Sequence, residues 1–193
     1  MSRVRKLGPI VLVAVAVVAG ASACSKSDGG ATESDRKVVT FGEAPEGSTD
    51  LGLCGAYDIE QMKGFIGGDE SFKRLAPEAI GKEGDPVTGE ACAWERVEGG
   101  DSLSLRIEVR NYGDDATGAA ARFDELEQEA VDPEPVSELG DRAFSSTSDG
   151  ASVLQAVRGG YLLSLSSRSA GSLEPLPTDV LKLLGTAGLE RLS

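Results

Sequence analysis

The residues of this chain with distinctive chemistry are three cysteines, Cys24, Cys54 and Cys92, and a large excess of acids, with no histidine anywhere. The lack of histidine excludes Ser-His-Asp and Cys-His nucleophile systems and histidine-based zinc or iron sites. No glycine-rich phosphate loop and no recognisable spacing of metal ligands is present. A pair of carboxylates could serve a glycoside hydrolase, but a solvated surface accounts more simply for acids this numerous. We therefore expect no enzymatic activity, no metal and no cofactor, and the cysteines are the informative residues.

Cys24 follows a segment with the features of an export signal. Residues 1–6 carry three positive charges and no negative one, residues 7–19 are apolar or small, and small residues continue up to the cysteine. A cysteine directly after such a cleavage site resembles a bacterial lipobox, in which the thiol takes a diacylglycerol. The sequence thus predicts a signal peptide over residues 1–23, lipidation of Cys24, and a location at the extracytoplasmic face of the cell membrane.

Two other interpretations of the N-terminus remain open. The three residues before Cys24 also suit ordinary signal peptidase, which would leave a secreted protein with a free thiol. An uncleaved anchor is the other alternative, although its apolar core is shorter than the roughly 20 residues of a spanning helix. The odd number of cysteines favours lipidation, because a lipid on Cys24 leaves a single pair.

Cys54 and Cys92 are expected to form that pair, because two cysteines outside the cytoplasm normally join. The loop they close would contribute roughly 3–4 kcal/mol by chain entropy. Trp94 lies two residues after Cys92, on the same strand face, and is expected to pack beside the bridge. Redox-active pairs tend to be exposed C-x-x-C motifs, so we expect a structural disulfide.

The net charge of −13 limits the partners of this protein. Removing residues 1–23 removes three of the 19 basic residues and none of the 32 acidic ones, so the mature chain is more acidic still. Nucleic acid is excluded, since neutralising phosphates requires clustered Lys and Arg. The acidity also argues against electrostatic adhesion to anionic lipid. Membrane binding is therefore expected to rest on the lipid anchor at Cys24.

The mature chain is predicted to comprise a tether and one domain. Residues 24–50, including the lipidated cysteine, are rich in turn formers and polar groups and predict a flexible tether. Val38, Val39 and Phe41 are the exception and could form a short strand against the domain. Residues 51–193 predict a single globular domain of about 140 residues, large enough for a hydrophobic core.

Hydrophobic periodicity predicts three helices and two antiparallel meanders in the order α-β-β-α-β-β-β-α. The helices are expected over 59–66, 116–130 and 177–187, the first between a cap at Asp58 and a stop at Gly67. The strands are expected over 91–97, 103–109, 142–146, 152–157 and 161–167. Residues 69–89 are expected to be a loop with one helical turn near 71–75. This order is typical of an α+β sandwich.

Several short motifs resemble the actinobacterial lipoproteins that are grouped as a domain of unknown function. They are the lipobox, residues 53–54 before a helix, residues 91–94 opening a hairpin, and residues 139–143 before the second meander. The resemblance covers most of the mature chain, and the cysteine pair with Cys-x-Trp is its most specific element. It implies a cell-envelope lipoprotein of α+β fold with a structural disulfide, and it transfers no catalytic residue.

The expected function is a non-catalytic binding or interaction module with an envelope protein as partner. Arg106, Glu108 and Arg110 project from one face of their strand and would form a recognition stripe if no helix covers them. The alternative is a lipid or small-molecule carrier, since the second meander is apolar on both faces. A helix packed over one of those faces would explain the same pattern.

Overall fold

A computed structural model of the chain describes residues 42–68 and 70–192. The predicted signal peptide, Cys24 and residues 25–41 of the predicted tether lie outside the described residues. The three helices are α1 (Ile59–Ile66), α2 (Ala116–Glu129) and α3 (Thr178–Arg191), and a 3₁₀-helix over Leu53–Ala56 precedes α1. The strands are β1 (Phe72–Arg74), β2 (Glu78–Ile80), β3 (Thr88–Glu98), β4 (Asp101–Asn111), β5 (Glu134–Pro135), β6 (Arg142–Ser148), β7 (Ala151–Arg158) and β8 (Tyr161–Ala170).

All eight strands form one antiparallel sheet. Their order is β1-β3-β4-β8-β7-β6-β5, with β2 also pairing β3. The long pairing between β4 and β8 joins the two predicted meanders into a continuous surface. The expected α+β class, the order of the main elements and the three helices are confirmed.

The segment 69–89 differs from the prediction. Residues 72–74 form β1 instead of a helical turn, and β2 follows within the expected loop. Each strand pairs antiparallel with a different part of β3. Between them the Leu75 N–H donates to the Ala93 carbonyl at 2.9 Å. Three-residue strands are too short to show a period, and it is the free backbone groups along the edge of β3 that order them.

The local signals for α1 are confirmed. The Asp58 carboxylate accepts a hydrogen bond from the Gln61 N–H at 3.0 Å, which satisfies one of the free donors of the first turn. The helix ends at Gly67, whose φ of 75° lies in the left-handed region that glycine tolerates best.

The main core lies on one side of the sheet, which we call the core face. The inward residues of β4 are buried there: Leu103, Leu105, Ile107 and Val109. Helix α3 packs on this face through a row at helical spacing, Leu181, Leu184, Gly185 and Gly188. Leu184, and Leu176 just before α3, are buried, whereas Val180 and Leu183, which are also large and apolar, are only partly buried.

Two glycines explain that difference, because they let α3 approach the sheet closely. A Cβ on Gly188 would lie 2.6 Å from the Tyr57 hydroxyl oxygen, and one on Gly185 would lie 3.4 Å from Leu139. The Tyr57 hydroxyl donates to the Leu184 carbonyl at 3.3 Å across the same contact. A search of the sequence for large apolar residues does not identify this face of α3, because two of the four residues in its row are glycines.

Helix α2 packs on the opposite side of the sheet, over β7 and β8. A second buried cluster forms there from Ala119, Phe123, Phe144, Val157 and Leu162. The apolar part of the second meander is thus covered on both faces, by α3 on one and α2 on the other, whereas Arg168 near the end of β8 stays exposed. Its apolar character on both faces follows from this double coverage.

Residues 42–50, which the sequence assigns to the tether, contact the domain. The Gly42 N–H donates to the Gly55 carbonyl at 3.0 Å. The Thr49 hydroxyl donates to the Glu90 carboxylate at 3.2 Å. The ordered contacts of the domain therefore extend at least to Gly42.

Candidate functional site

The predicted disulfide is present. Cys54 and Cys92 are bonded, with their Cα atoms 5.5 Å apart, and both residues are buried. The bridge ties the 3₁₀-helix to β3 across the core face, so it fixes the N-terminal part of the domain on the sheet.

Trp94 is buried on the same side of β3 as Cys92, as the two-residue spacing predicts. Its ring meets that of Tyr57 edge to face, with centroids 5.5 Å apart. Burial raises the pKa of the Tyr57 phenol well above its ordinary value. The tyrosine therefore stays neutral and acts as a core residue.

Glu90 is a site residue that the sequence analysis missed. It is 0% exposed and precedes Cys92 by two residues on the core face of β3. Its Oε2 accepts hydrogen bonds from the Leu53 N–H at 2.8 Å and from the Thr49 hydroxyl at 3.2 Å. Its Oε1 has no hydrogen-bond partner among the described residues. The alternation Glu90, Cys92, Trp94 was the signal that could have revealed a buried carboxylate.

Arg74 is a cation that interacts electrostatically with the Glu90 carboxylate. Its Nη2 donates to the Cys54 carbonyl at 2.9 Å. Burial lowers the pKa of Arg74, and the negative charge of Glu90 partly offsets that effect. A half-buried guanidinium thus supplies charge compensation beside the disulfide.

The two arginines of the predicted stripe on β4 stay accessible, whereas Glu108 is largely buried, with 17% of its side chain exposed. Arg106 and Arg110 retain 40% and 45% of their side-chain exposure, since α2 packs over β7 and β8. Arg106 Nη1 lies 2.9 Å from Glu78 Oε2, and its Nη2 lies 3.2 Å from Glu108 Oε2. Arg110 Nε lies 2.7 Å from Glu108 Oε1. The stripe is therefore a connected network of ion pairs on strands β2 and β4.

The carboxylates of this network also influence the pKa of Arg106. Partial burial lowers its pKa, but the hydrogen bonds and charges of Glu78 and Glu108 outweigh burial and leave the pKa above its ordinary value. Arg106 is consequently a permanent cation whose orientation is fixed by two carboxylates.

The stripe continues onto β8 through small hydroxyl residues. In the sheet register Arg106 is opposite Ser166, Glu108 is opposite Ser164, and Ser104 is opposite Arg168. We call a set of eight side chains on this outward side of β2, β4 and β8 the open face. Its members are Glu78, Ser104, Arg106, Glu108, Arg110, Ser164, Ser166 and Arg168. Three arginines and two glutamates make it less acidic than a chain with 32 acids and 19 bases.

Residues 139–143, the longest motif of the resemblance, hold the second meander together. The Asp141 carboxylate accepts from the Gly159 N–H at 2.8 Å in the β7–β8 turn. Arg142 bridges to Asp124 at 2.6 Å and to Glu127 at 2.9 Å on α2. Its guanidinium also lies 4.6 Å from the centroid of the Phe123 ring. The motif is structural, because it fixes α2 against β6.

Gly140→Ala is expected to lower the free energy of unfolding by about 2–3 kcal/mol. Gly140 has φ 62°, and a Cβ there would lie 2.5 Å from the Val157 carbonyl oxygen. Gly99→Ala is the matched control, with φ 59° and open space around the position. It is expected to cost about 1 kcal/mol, from backbone strain alone. If urea unfolding gave the same loss of free energy for Gly140→Ala and Gly99→Ala, the close approach to the Val157 carbonyl would not contribute to the cost.

The described surface also has open grooves. One of about 630 Å³ lies beside Gly68, Ser71, Lys73 and Val97, and one of about 260 Å³ lies beside Leu139 and Arg158. Neither is lined by the buried apolar residues of the second meander. Along the described ranges, no helix is both long enough and apolar enough to span a membrane.

The part of the chain that the structure describes is an α+β domain with one eight-stranded antiparallel sheet and the Cys54–Cys92 disulfide. No family model, curated protein or solved structure matches the chain.

Proposed function

We propose that this protein is an exported lipoprotein, anchored by Cys24 at the extracytoplasmic face of the cell membrane, whose domain is a non-catalytic interaction module. The observation that carries the proposal is the Cys54–Cys92 disulfide. Disulfides persist mainly in oxidising compartments, so the bridge supports export. The bridge uses two of the three cysteines in the sequence, which leaves Cys24 for lipid modification.

The path of the chain supports outward presentation of the open face. Gly42 enters the domain beside Gly55 in the 3₁₀-helix, on the core face of the sheet. The open face lies on the other side of that sheet. About 18 residues separate Cys24 from Gly42, and a fully extended chain of that length reaches at most about 60 Å. An anchor at Cys24 therefore leaves the open face accessible to a partner in the envelope.

The character of the open face supports a protein partner. Arg106 is oriented by Glu78 and Glu108, so part of the entropy of ordering a long side chain is already lost before binding. Arginine is enriched at protein interfaces, and serines beside it supply adaptable hydrogen bonds. The nearly balanced charge of the face avoids the repulsion that the rest of an acidic chain exerts on acidic partners.

A photoreactive residue at position 104 tests this role of the open face. Ser104 is exposed on β4, and Gly64 is an exposed control position on α1 with open space around it. In intact cells we expect a discrete crosslinked partner from position 104 and none from position 64. Arg106→Glu should weaken the crosslink at least about tenfold, since like charges at an interface cost several kcal/mol. The same charge change at Arg122, on α2, should have no effect.

Equal crosslinks from positions 104 and 64, or none from either, would contradict an interaction module that uses this face. The carrier alternative has a separate test in native mass spectrometry of the full chain before and after organic extraction. A discrete mass that extraction removes would favour a lipid or small-molecule carrier. The coverage of both faces of the second meander by α2 and α3 supports the interaction module instead.

A further inference from the structure

The carboxylate of Glu90 has an unusual environment. The residue is fully buried, yet its Oε1 lacks a hydrogen-bond partner within the described ranges. Buried polar atoms in folded proteins are nearly always satisfied, and a carboxylate oxygen is a stronger acceptor than most. Among the described residues, the Glu90 Oε1 atom is therefore available to accept an additional ligand.

The neighbours of this carboxylate are the two cysteines. One carboxylate oxygen of Glu90 and the sulfur atoms of Cys54 and Cys92 all lie within 4.8 Å of one another, and all three residues are buried. We propose that Cys54, Cys92 and Glu90 bind a thiophilic divalent cation such as Zn²⁺ when the disulfide is reduced. This site is independent of the function proposed for the open face.

The ligand set suits such a cation. Thiolates and carboxylates are common Zn²⁺ ligands, at about 2.3 Å for sulfur and about 2.0–2.2 Å for oxygen. Two sulfurs on one tetrahedral ion stand about 3.8 Å apart. The Cα atoms of Cys54 and Cys92 are 5.5 Å apart, so rotation of the two cysteine side chains can place their sulfur atoms at that separation. Three protein ligands leave the fourth position for a water.

The surroundings of Glu90 prepare it to act as a ligand. Its Oε2 is held by the Leu53 N–H and the Thr49 hydroxyl, which fix the orientation of the carboxylate and leave Oε1 free. Metal-binding carboxylates are commonly oriented by hydrogen bonds of this kind. The donors come from the backbone and from a short side chain, so the orientation is rigid.

The charge of the site also balances. Two thiolates and a carboxylate carry three negative charges, of which a divalent cation neutralises two. Arg74, which interacts electrostatically with Glu90 and donates to the Cys54 carbonyl, neutralises the third. A monovalent cation would leave an uncompensated buried charge, which is strongly unfavourable.

The chemistry proceeds in two steps. A thiol or phosphine reductant gives two electrons to the S–S bond, and with two protons the bond becomes two thiols while the reductant is oxidised. The cation then forms two metal–sulfur bonds and displaces the two thiol protons.

Co²⁺ is the probe for this site, because thiolate ligands give it intense charge-transfer absorption. The full chain carrying Cys24→Ser, reduced with a phosphine, is expected to bind one Co²⁺ with that absorption, and Zn²⁺ should displace it. The oxidised chain is expected to show none. Glu90→Gln should weaken binding of Co²⁺ at least about tenfold. Glu95→Gln, on the exposed side of the same strand, is the matched control and should leave it unchanged.

Thr49→Val is a second variant, in case Glu90→Gln does not fold. It removes one donor to Oε2 and is expected to weaken binding about tenfold, the lower end of the effect of losing a supporting hydrogen bond. The proposal is overturned if the reduced chain gives no thiolate-to-cobalt absorption. It is equally overturned if Glu90→Gln, or Thr49→Val in its place, binds Co²⁺ as tightly as the Glu95→Gln control.

Discussion

Replacing both Cys54 and Cys92 by alanine is expected to lower the free energy of unfolding by about 4 kcal/mol. The two residues are 38 positions apart, and opening a loop of that length restores chain entropy to the unfolded state. Domains of this size are commonly stable by about 5–15 kcal/mol, so the loss is a large fraction of the total. Urea unfolding followed by the fluorescence of Trp94, the one tryptophan of the chain, measures it.

Cys24→Ser is the matched control for this experiment, since it removes a sulfur outside the described domain. We expect its unfolding midpoint to equal that of the unchanged chain. A double variant that loses less than about 1 kcal/mol would contradict a stabilising role for the bridge. The fluorescence of Trp94 can follow the unfolding of both variants, because the Trp94 ring packs on Tyr57 within the same core.

Phe123→Ala is expected to lower the free energy of unfolding by about 3–5 kcal/mol. Phe123 is the central residue of the cluster beneath α2, with its ring centroid 5.3 Å from that of Phe144 and the Arg142 guanidinium above it. Truncation leaves a cavity and removes the aromatic contact, and both effects destabilise α2 on the sheet. Thermal or urea unfolding of the single variant measures the loss.

Val131→Ala is the control for that variant. Val131 lies two residues after the end of α2 and is 62% exposed, so its truncation should change stability by at most about 0.5 kcal/mol. If the two variants unfolded alike, α2 would not depend on the Phe123 cluster.

Elements with strong local signals were predicted correctly from the sequence. The cap at Asp58 and the stop at Gly67 defined α1 to the residue. The alternation along β4 identified both its buried row and the stripe of Arg106 and Glu108 on the other side. In each case the residues that decide the structure lie within one turn or one strand of each other, so a short stretch of sequence contains the information.

Elements that depend on distant contacts were missed. Strands β1 and β2 exist because β3 offers them an edge, and α3 packs through glycines that carry no hydrophobic signal. The joining of the two meanders into one sheet depends on the β4–β8 pairing, between strands that are about 60 residues apart. Sequence periodicity describes one element at a time and does not reveal which elements meet.

The candidate site residues show the same contrast between local signals and distant contacts. The Cys54–Cys92 pair followed from cysteine count and compartment, and the structure confirms it. Glu90 was counted among the many surface acids, although it is fully buried. The 3₁₀-helix and Thr49, which are distant in sequence, donate hydrogen bonds to its carboxylate. The accessibility of Arg106 likewise depended on where α2 packs.

The most direct test of the account is the intact mass of the protein purified from the envelope of a bacterial host that processes lipoproteins. We predict a chain that begins at Cys24, carries a diacylglycerol and an acyl group there, and is two hydrogens lighter for the Cys54–Cys92 bridge. The Cys24→Ser variant should lack the lipid mass. A chain that begins at Cys24 with an unmodified thiol, or one that retains residues 1–23, would contradict the proposal of a lipid-anchored interaction module.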